Sequence, residues 1–435
     1  MRRSIAALLT VLAAAPLLVA LPVAQQNPAL PSLLIRNVTL IDGNGGPPRA
    51  GANVLLRDGR VSSIDGDAAS ADVTIDGRGL FAMPGLTDAH VHLSGLPWAE
   101  RAEQLARVLR GGVTMVYDVA SDLRNTSDLS RAALTGEIES PAIYYAALFA
   151  GPEFFTDPRV VSTSRGYRPG DAPWNREIRP DTDLVRAVAE ARGAGATSIK
   201  LYAALDGPTV RRIGDEAKRQ NVRLIAHATV FPARPSDLVA AGVKMLAHTA
   251  YLVWEGTAPS PDFPKRARGD FAGVPADGPV MTRLLESMKD NDVTLNPTLW
   301  IFAEGPAKDD MSPLRTPWMN TVTRRAQDMG VVIAAGVDSL MTPGDPLPMI
   351  HKEMEVMVTG AKLTPLQAIT AATRGAAHAI GVDEARGTVA PGKVADLLIV
   401  DADPSVNIRN TRRIRYVIKD GRIVQAGPRD ARGAR

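Results

Sequence analysis

The feature that most constrains the fold is a unit repeated through the middle of the chain. A helical stretch ends at Gly or Asn, and a short apolar run follows at once. Glycine is the residue expected just beyond a helix, and short β-branched runs suit strands that are buried on both faces. Together with an opening strand and a run between two units, this pattern gives eight predicted strands: GLTDAHVH (85–92), RGGVTMVYD (110–118), AIYYAALFA (142–150), GAGATSIKLY (193–202), QNVRLIAHA (220–228), AGVKMLAHT (241–249), NDVTLNPTL (291–299) and MGVVIAAGVD (329–338).

Eight strands alternating with helices over about 300 residues match the size and order of a (β/α)8 TIM barrel. We therefore predict an α/β fold in which residues 84–384 form this barrel. A doubly wound open sheet is the alternative, and the absence of a glycine-rich phosphate turn after the first strand disfavours it. Three long connections follow strands, near 150–180, 252–280 and 301–320. In a barrel they would lie on the catalytic face, at the carboxyl ends of the strands.

The two ends of the chain have a different texture. Residues 33–83 and 385–428 alternate apolar and polar residues and turn at Asp-Gly or Pro-Gly pairs, which is typical of short antiparallel strands. We predict one small β-sandwich domain built from both ends.

Residues 1–24 are predicted to be a secretory signal peptide. Arg2 and Arg3 precede an uncharged apolar run that continues to about residue 23. The rival interpretation is an uncleaved anchor, because the run approaches the roughly 20 residues that a membrane span needs. Two prolines and several small residues favour cleavage, which predicts a periplasmic or secreted protein without a stable membrane anchor.

The chain contains no cysteine, so disulfides and thiolate ligands are excluded. A metal would therefore have to use His, Asp, Glu or a modified Lys. The formal net charge of +3 includes the two arginines of the signal and does not indicate nucleic-acid binding. We expect a small-molecule substrate, and the sequence leaves homo-oligomerisation open.

Polar side chains recur where the predicted strands end. A strand alternates faces with a period of two, so the rings of a His-x-His pair point into the same space. Each residue alone is as readily explained by a satisfied core or surface position. Burying all of them without partners would cost several kcal/mol each, and a bound cation would remove that cost. The candidate metal ligands are His90, His92, Lys200, His227, His248 and Asp338.

Several segments together resemble the amidohydrolase superfamily, in particular its imidazolonepropionase- and prolidase-like branch. These are MPGLTDAHVHL, SIKLY, IAHA, AGVKMLAHT, AAGVDS and the tail LTPLQAITAATRGAAHAIG with GTVAPGKVADLLIV. The resemblance extends from about Leu33 to Gly427 and implies a barrel with a split β-sandwich and two divalent metal ions, for which zinc is the first expectation. It implies that His90, His92 and Asp338 hold the more buried ion, that His227 and His248 hold the other, and that a carboxylated Lys200 bridges them.

The same resemblance implies hydrolysis of an amide-type C–N bond by a metal-bridging hydroxide, with Asp338 as the catalytic proton shuttle. Esters, lactones and phosphotriesters are alternative substrates, because one hydroxide can attack many electrophiles. A non-catalytic metal-binding protein is an alternative of another class. It predicts eroded ligand positions, whereas all six are present.

Substrate contacts are predicted for Tyr202 and Tyr251, which closely follow two of the proposed ligands, and for His351, at the start of the helix after strand eight. Core packing is an equal alternative for the tyrosines, and for His351 a solvated position at the helix start is the favoured alternative. His378, in an apolar helix, is predicted to be structural. Dipeptidases of this branch commonly have His-Ala-Tyr where this chain has His227-Ala228-Thr229, which argues against dipeptide specificity.

Aromatic residues are concentrated after strand ends. All five tryptophans are there, together with Phe154, Phe155 and Phe302. Packing of long loops explains this distribution as well as function does. As pocket walls they would suit an N-acyl amino acid or an aromatic amide.

Overall fold

A computed structural model of the protein describes residues 30–66, 70–257, 263–342 and 344–426. The predicted signal peptide and its cleavage site lie outside these residues. No described helix combines the length and the apolar character that crossing a membrane requires.

The strands are β1 (Leu33–Leu40), β2 (Arg49–Arg57), β3 (Arg60–Ile64), β4 (Val73–Asp76), β5 (Phe81–Pro84), β6 (Leu86–Val91), β7 (Val113–Asp118), β8 (Ala142–Ala150), β9 (Asp171–Ala172), β10 (Asn175–Glu177), β11 (Ser198–Leu201), β12 (Arg223–His227), β13 (Met245–Ala247), β14 (Thr294–Asn296), β15 (Leu397–Val400), β16 (Ile414–Lys419) and β17 (Arg422–Ala426).

The helices are α1 (Trp98–Arg110), α2 (Leu123–Thr135), α3 (Pro158–Thr163), α4 (Leu184–Gly193), α5 (Gly207–Arg219), α6 (Pro235–Ala240), α7 (Pro279–Asp290), α8 (Leu299–Ala303), α9 (Ser312–Met329), α10 (Ile350–Thr359), α11 (Pro365–Thr370) and α12 (Ala376–Ile380). Short 3-10 turns occupy Pro152–Thr156, Thr249–Glu255, Phe263–Ala267 and Ile408–Arg412, and one π-helical turn, Ala371–Gly375, joins α11 to α12.

The predicted TIM barrel is confirmed. Seven parallel strands pair in the order β6-β7-β8-β11-β12-β13-β14, with β10 and β9 attached to the end of β8. Helices separate successive strands and cover them. In α5, for example, the Asp206 side chain accepts the N–H of Thr209 at 2.8 Å and caps the helix. Val210, Ile213 and Ala217 of α5 are buried, at the spacing of a single helix face.

The eighth predicted strand closes the barrel, although it is not a regular strand. Leu295 exchanges backbone hydrogen bonds with residues 332 and 334, and the N–H of Ala89 donates to the carbonyl of Ala335 at 2.9 Å. Between the backbone contacts, the Asp88 carboxylate accepts the N–H of Val337 at 3.1 Å, and the next N–H, that of Asp338, donates to the carbonyl of His90 at 2.8 Å. A side chain of β6 thus completes the closure beside the carboxyl ends of the strands.

The two ends of the chain form the second predicted unit, a separate sheet with the order β17-β16-β15-β5-β1-β2-β3 and with β4 beside β1. Its centre joins both ends, since β15 pairs antiparallel with β5 and aligns Leu397 with Pro84. Asn37 has a φ of 56°, and the turn it makes lets the first half of β1 pair with β4 and the second half with β5. The sheet has a core of its own, which includes Val54 and Ile399.

Candidate metal centre

All six predicted ligands lie at the carboxyl-end mouth of the barrel. The Nε2 atoms of His90 and His92 are 3.5 Å and 3.1 Å from Asp338 Oδ1. Lys200 Nζ is 3.4 Å from His90 Nε2. The ring of His248 lies 4.8 Å from that of His90 and 4.6 Å from that of His227, between ring centroids. The topology therefore brings together residues that are up to 248 positions apart, from His90 to Asp338.

Two of the histidines are oriented by acceptors behind them. His90 Nδ1 lies 2.7 Å from Asn296 Oδ1, and the Asn296 amide in turn donates to the carbonyl of Ala334 at 2.9 Å. His92 Nδ1 lies 3.0 Å from the carbonyl oxygen of Ala120. Because both partners are acceptors, each Nδ1 carries a hydrogen, and in the neutral ring the Nε2 lone pair faces Asp338.

The other two histidines have hydroxyl partners. His227 Nδ1 lies 2.7 Å from Thr229 Oγ1 and accepts the Thr229 N–H at 3.2 Å. His248 Nδ1 lies 2.8 Å from Thr298 Oγ1. The threonine that replaces the tyrosine of the dipeptidase pattern thus serves to hold a predicted ligand.

Three residues of the site have strained backbones. His248, Thr298 and Asp338 have φ values of 72°, 50° and 56°, in the left-handed region that few non-glycine residues occupy. Such conformations persist where the surroundings impose them, and they are commonly found at functional sites. Gly336 is required for close approach, because a Cβ there would lie 2.6 Å from Asn296 Nδ2 and 2.8 Å from His90 Cβ.

Burial determines the protonation of these groups. It lowers the pKa of His90 and His227 far below the ordinary value, and that of His248 to about 3. Burial also lowers the pKa of Lys200 to about 8. These imidazoles are therefore neutral at pH 7, and roughly a tenth of the lysine is a neutral amine, far more than for an ordinary lysine.

The donor set fits a divalent cation. One donor atom each from His90, His92 and Asp338 lies within 4.8 Å of the other two. Two imidazole lone pairs facing a carboxylate oxygen need a positive charge between them, either protons or a metal ion. Burial opposes protonation of His90, whereas neutral imidazole with carboxylate oxygen suits zinc and similar ions.

A cavity of about 570 Å³ opens above these residues, and His92, His227, His248 and Asp338 line its base. Its walls include four aromatic side chains and two guanidinium groups, which belong to Phe154, Tyr202, Tyr251, Phe302, Arg159 and Arg266.

Tyr202 and Tyr251 enclose the ring of His227, with centroids 4.8 Å and 5.1 Å away. Burial raises the pKa of Tyr202 to about 12 and also raises that of Tyr251, so both hydroxyls remain protonated at neutral pH. Their contact with substrate stays a prediction.

The tryptophans do not line this cavity, although all five belong to the described residues. Trp174, Trp254 and Trp318 are instead buried, and each donates its indole N–H to a backbone carbonyl in a long loop, at 3.1, 2.8 and 2.6 Å. They hold the loops in shape, while phenylalanine and tyrosine form the cavity walls.

The prediction that His351 contacts substrate is wrong. Its ring is buried, with Nδ1 2.9 Å from Thr411 Oγ1 and Nε2 2.9 Å from the carbonyl oxygen of Gly111. Its two hydrogen bonds connect α10 to the residue after α1 and to the C-terminal segment. The ring is buried because the barrel and the terminal sheet pack around the start of α10. His378 lies between Asp292 and Asp383, at 3.0 Å and 3.1 Å, away from the cavity.

Three supporting residues were missed from the sequence: Asn296, Thr298 and Asp88. A buried asparagine at the end of a strand is unfavourable for β-structure, and this could have drawn attention to Asn296. The αL conformation of Thr298 and the closure made by Asp88 have no local sequence signal.

The family model described as the amidohydrolase family matches residues 81–424. The chain belongs to the amidohydrolase family. This amidohydrolase is 42% identical over 218 residues to an N-acyl-D-aspartate deacylase of Alcaligenes xylosoxydans xylosoxydans, a match covering 48% of this chain and 40% of the relative. It is 24% identical over 387 residues to an adenine deaminase of Moorella thermoacetica, covering 87% of this chain and 54% of the relative. The chain therefore spans about half the length of these curated relatives.

Solved structures show the same fold at low identity. A Xaa-Pro dipeptidase with bound methionine in its active site superposes with a TM-score of 0.71 and 22% identity, covering 91% of this chain and all of that one (100%). The ochratoxinase of A. niger superposes with a TM-score of 0.70 and 22% identity, covering 94% of this chain and 99% of that one. The barrel and terminal sheet of this amidohydrolase are thus shared with both.

Proposed function

We propose that this amidohydrolase is a metal-dependent hydrolase that cleaves an amide-type C–N bond. The observation that carries the proposal is the convergence of imidazole lone pairs on the Asp338 carboxylate at the base of an aromatic cavity. Deacylase, deaminase and dipeptidase are names of the relatives and neighbours above, and they denote reactions at C–N bonds.

In this proposal His90, His92 and Asp338 hold one divalent ion, and His227 with His248 hold a second. When bound, such ions acidify a water molecule and polarise a carbonyl oxygen. The ring orientations set by Asn296 and Ala120 leave Nε2 available for this role.

Lys200 would join the two groups of ligands after carboxylation. Its neutral Nζ forms a bond to the carbon of carbon dioxide, one N–H proton passes to water, and the side chain changes from an amine to a carbamate of charge −1. The lowered pKa of Lys200 supports the step, because only the unprotonated amine reacts.

Asp338 is placed to transfer the proton. Burial alone would raise the pKa of Asp338, but its close contacts with the rings of His90 and His92, including a hydrogen bond to His92, lower that pKa, so the carboxylate is ionised. We propose that it accepts a proton from the attacking water and returns it to the leaving nitrogen. The hydroxyls of Tyr202 and Tyr251 remain available to donate to a substrate oxygen.

The aromatic cavity supports an N-acyl amino acid or an aromatic amide as substrate. The test is a panel of amides, esters and phosphotriesters, assayed with metal analysis before and after chelation. We expect turnover of amides that is lost on chelation and restored by zinc. Turnover of esters or phosphotriesters alone would favour the alternative substrates. Tightly held metal with no turnover would indicate a non-catalytic metal-binding protein.

We also propose that the protein is exported, on the basis of residues 1–24. Mass spectrometry of the protein from a periplasmic extract should find a mature N-terminus near residue 25. An intact Met1 in the membrane fraction would instead support an uncleaved anchor.

A further inference from the structure

A second cavity, of about 720 Å³, borders the metal centre and shares His92 and Asp338 with the aromatic cavity. Its remaining walls come from Leu96, from α1, and from residues 339–342 and 344–346 in the loop that follows Asp338. A molecule held at the metal centre can therefore extend into two separate spaces, of which only the first has phenylalanine and tyrosine side chains in its walls.

Arg101 of α1 is the distinctive residue of this second cavity. It is only 5% exposed. Its Nη2 donates to the carbonyl of Ser94 at 2.8 Å, and its Nη1 donates to the amide oxygen of Gln104. Both acceptors are neutral, and the buried Nε has no acceptor at all. Among the described residues, no carboxylate lies within 4.0 Å of this guanidinium group.

The acidic residues near Arg101 have other partners. Asp118 affects the pKa of Arg101 only through its charge, at longer range. The Asp118 carboxylate instead accepts hydrogen bonds from the hydroxyls of Ser121 and Thr126, at 2.7 Å and 2.9 Å. Asp345, on the cavity wall, is 3.4 Å from the ammonium of Lys352.

The other arginines that line the two cavities are less buried than Arg101, and their guanidinium groups have partners. Arg107, also on this wall, is 3.6 Å from Glu103. Arg159, in the aromatic cavity, is 62% exposed and pairs with Asp157 at 2.6 Å. Arg266 is a hydrogen-bond partner of Tyr251. Within the described part of the chain, Arg101 is thus the buried arginine of these two cavities, and its guanidinium group has no carboxylate partner.

A buried guanidinium without an anion is costly, and its planar fork of donors matches a carboxylate. We infer that the Arg101 cavity binds the free carboxylate of the substrate, while the acyl group occupies the aromatic cavity and the scissile amide lies between them, at His92 and Asp338. This rests on the proposed function and narrows it: the substrate is an N-acyl amino acid, or a peptide cleaved before its last residue, and not a neutral amide.

The test compares N-benzoylglycine with N-benzoylglycinamide, which differ only in the charged group. The zinc-loaded wild-type enzyme should bind and cleave the acid in preference. Arg101→Gln should lower kcat/KM for the acid about 10- to 100-fold, mainly through KM, because one charge-assisted interaction is lost. For the amide the change should stay below about threefold, and Arg101→Lys should restore part of the difference.

Arg110→Gln is the matched control, since Arg110 lies on the same helix but is exposed and pairs with Glu139. Its kinetics should match the wild type. Calorimetric binding of N-benzoylglycine gives a readout that does not depend on turnover. If neither compound is cleaved but the binding of N-benzoylglycine still depends on Arg101, the carboxylate site is supported and the proposed function fails.

Equal or absent binding of the acid and the amide by the wild-type enzyme would overturn the inference while leaving amide hydrolysis intact. So would a variant series in which Arg159→Gln, and not Arg101→Gln, abolishes the preference for the acid.

Discussion

Replacement of Asn296 by leucine should weaken metal binding without altering any metal ligand. The buried Asn296 amide accepts from His90 Nδ1 at 2.7 Å and donates to Ala334 at 2.9 Å. Leucine has a similar volume but leaves both partners unsatisfied, at about 1–3 kcal/mol each. Loss of such an orienting partner typically lowers metal affinity about 10- to 100-fold, equivalent to about 1.4–2.8 kcal/mol of binding free energy.

The assay is titration of the metal-free protein with zinc in competition with a chromogenic chelator, alongside urea unfolding. Thr294→Val is a matched control, because Thr294 lies on the same strand, is equally buried and has a hydroxyl without a hydrogen-bond partner. It should retain wild-type affinity. Asn296→Asp keeps an oxygen facing His90 and should lose less than Asn296→Leu. Zinc affinity of Asn296→Leu within about twofold of wild type, in a folded protein, would refute the reasoning.

Three further outcomes are expected. Asp338→Asn should lose nearly all turnover, even in preparations reloaded to full metal content; full turnover with metal retained would exclude the proton-transfer role. Reconstitution with zinc in buffer stripped of carbon dioxide should be slow and should accelerate on adding bicarbonate, and Lys200→Ala should show no such response. Burial lowers the pKa of His351 to about 4, below its unfolded value of 6.5, so its contribution to stability is complete above pH 6.5 and is lost as the pH falls toward 4. The free energy of unfolding, measured by urea titration, should fall between pH 7 and pH 4.5 by about 2–3 kcal/mol less in His351→Gln than in the wild type. An equal fall in both proteins would show that His351 is not the source of the pH dependence.

The parts of the fold that the sequence predicts well have local, repeated signals. Helix ends at glycine or asparagine followed by short apolar runs indicated six of the eight barrel strands, and the other two were inferred from the apolar runs at 85–92 and 142–150. Polar residues at strand ends indicated which side chains would meet, because the carboxyl ends of parallel strands share one rim. The closure beside Asp338 could not be anticipated, since it depends on the Asp88 side chain of a strand about 250 residues earlier.

The errors at the site have a common physical origin. His351 was assigned to the site from its position after a strand end, and for the tryptophans that position left loop packing and a cavity wall equally open, because position in the chain does not determine which way a side chain points. His351 turns toward Gly111 and Thr411, and Trp174 turns into its own loop. Arg101 was not predicted as a site residue, because nothing in its position along the chain indicated that it would be buried. An arginine in an amphipathic helix is ordinarily a solvated residue, and only the tertiary structure reveals that it is buried.

The pairing of β15 with β5 has a consequence for the order of folding. The register that aligns Leu397 with Pro84 closes a loop of about 310 residues, a very non-local contact of the kind that slows folding. At a synthesis rate of about 5–20 residues per second, the edge of β5 would wait on the order of 15–60 s for its partner to be made. During that interval the barrel can assemble, but β5 exposes an unpaired hydrophobic edge that another chain could occupy. Truncation that removes β15 should therefore promote aggregation through the unpaired edge of β5, even where the metal centre itself is complete.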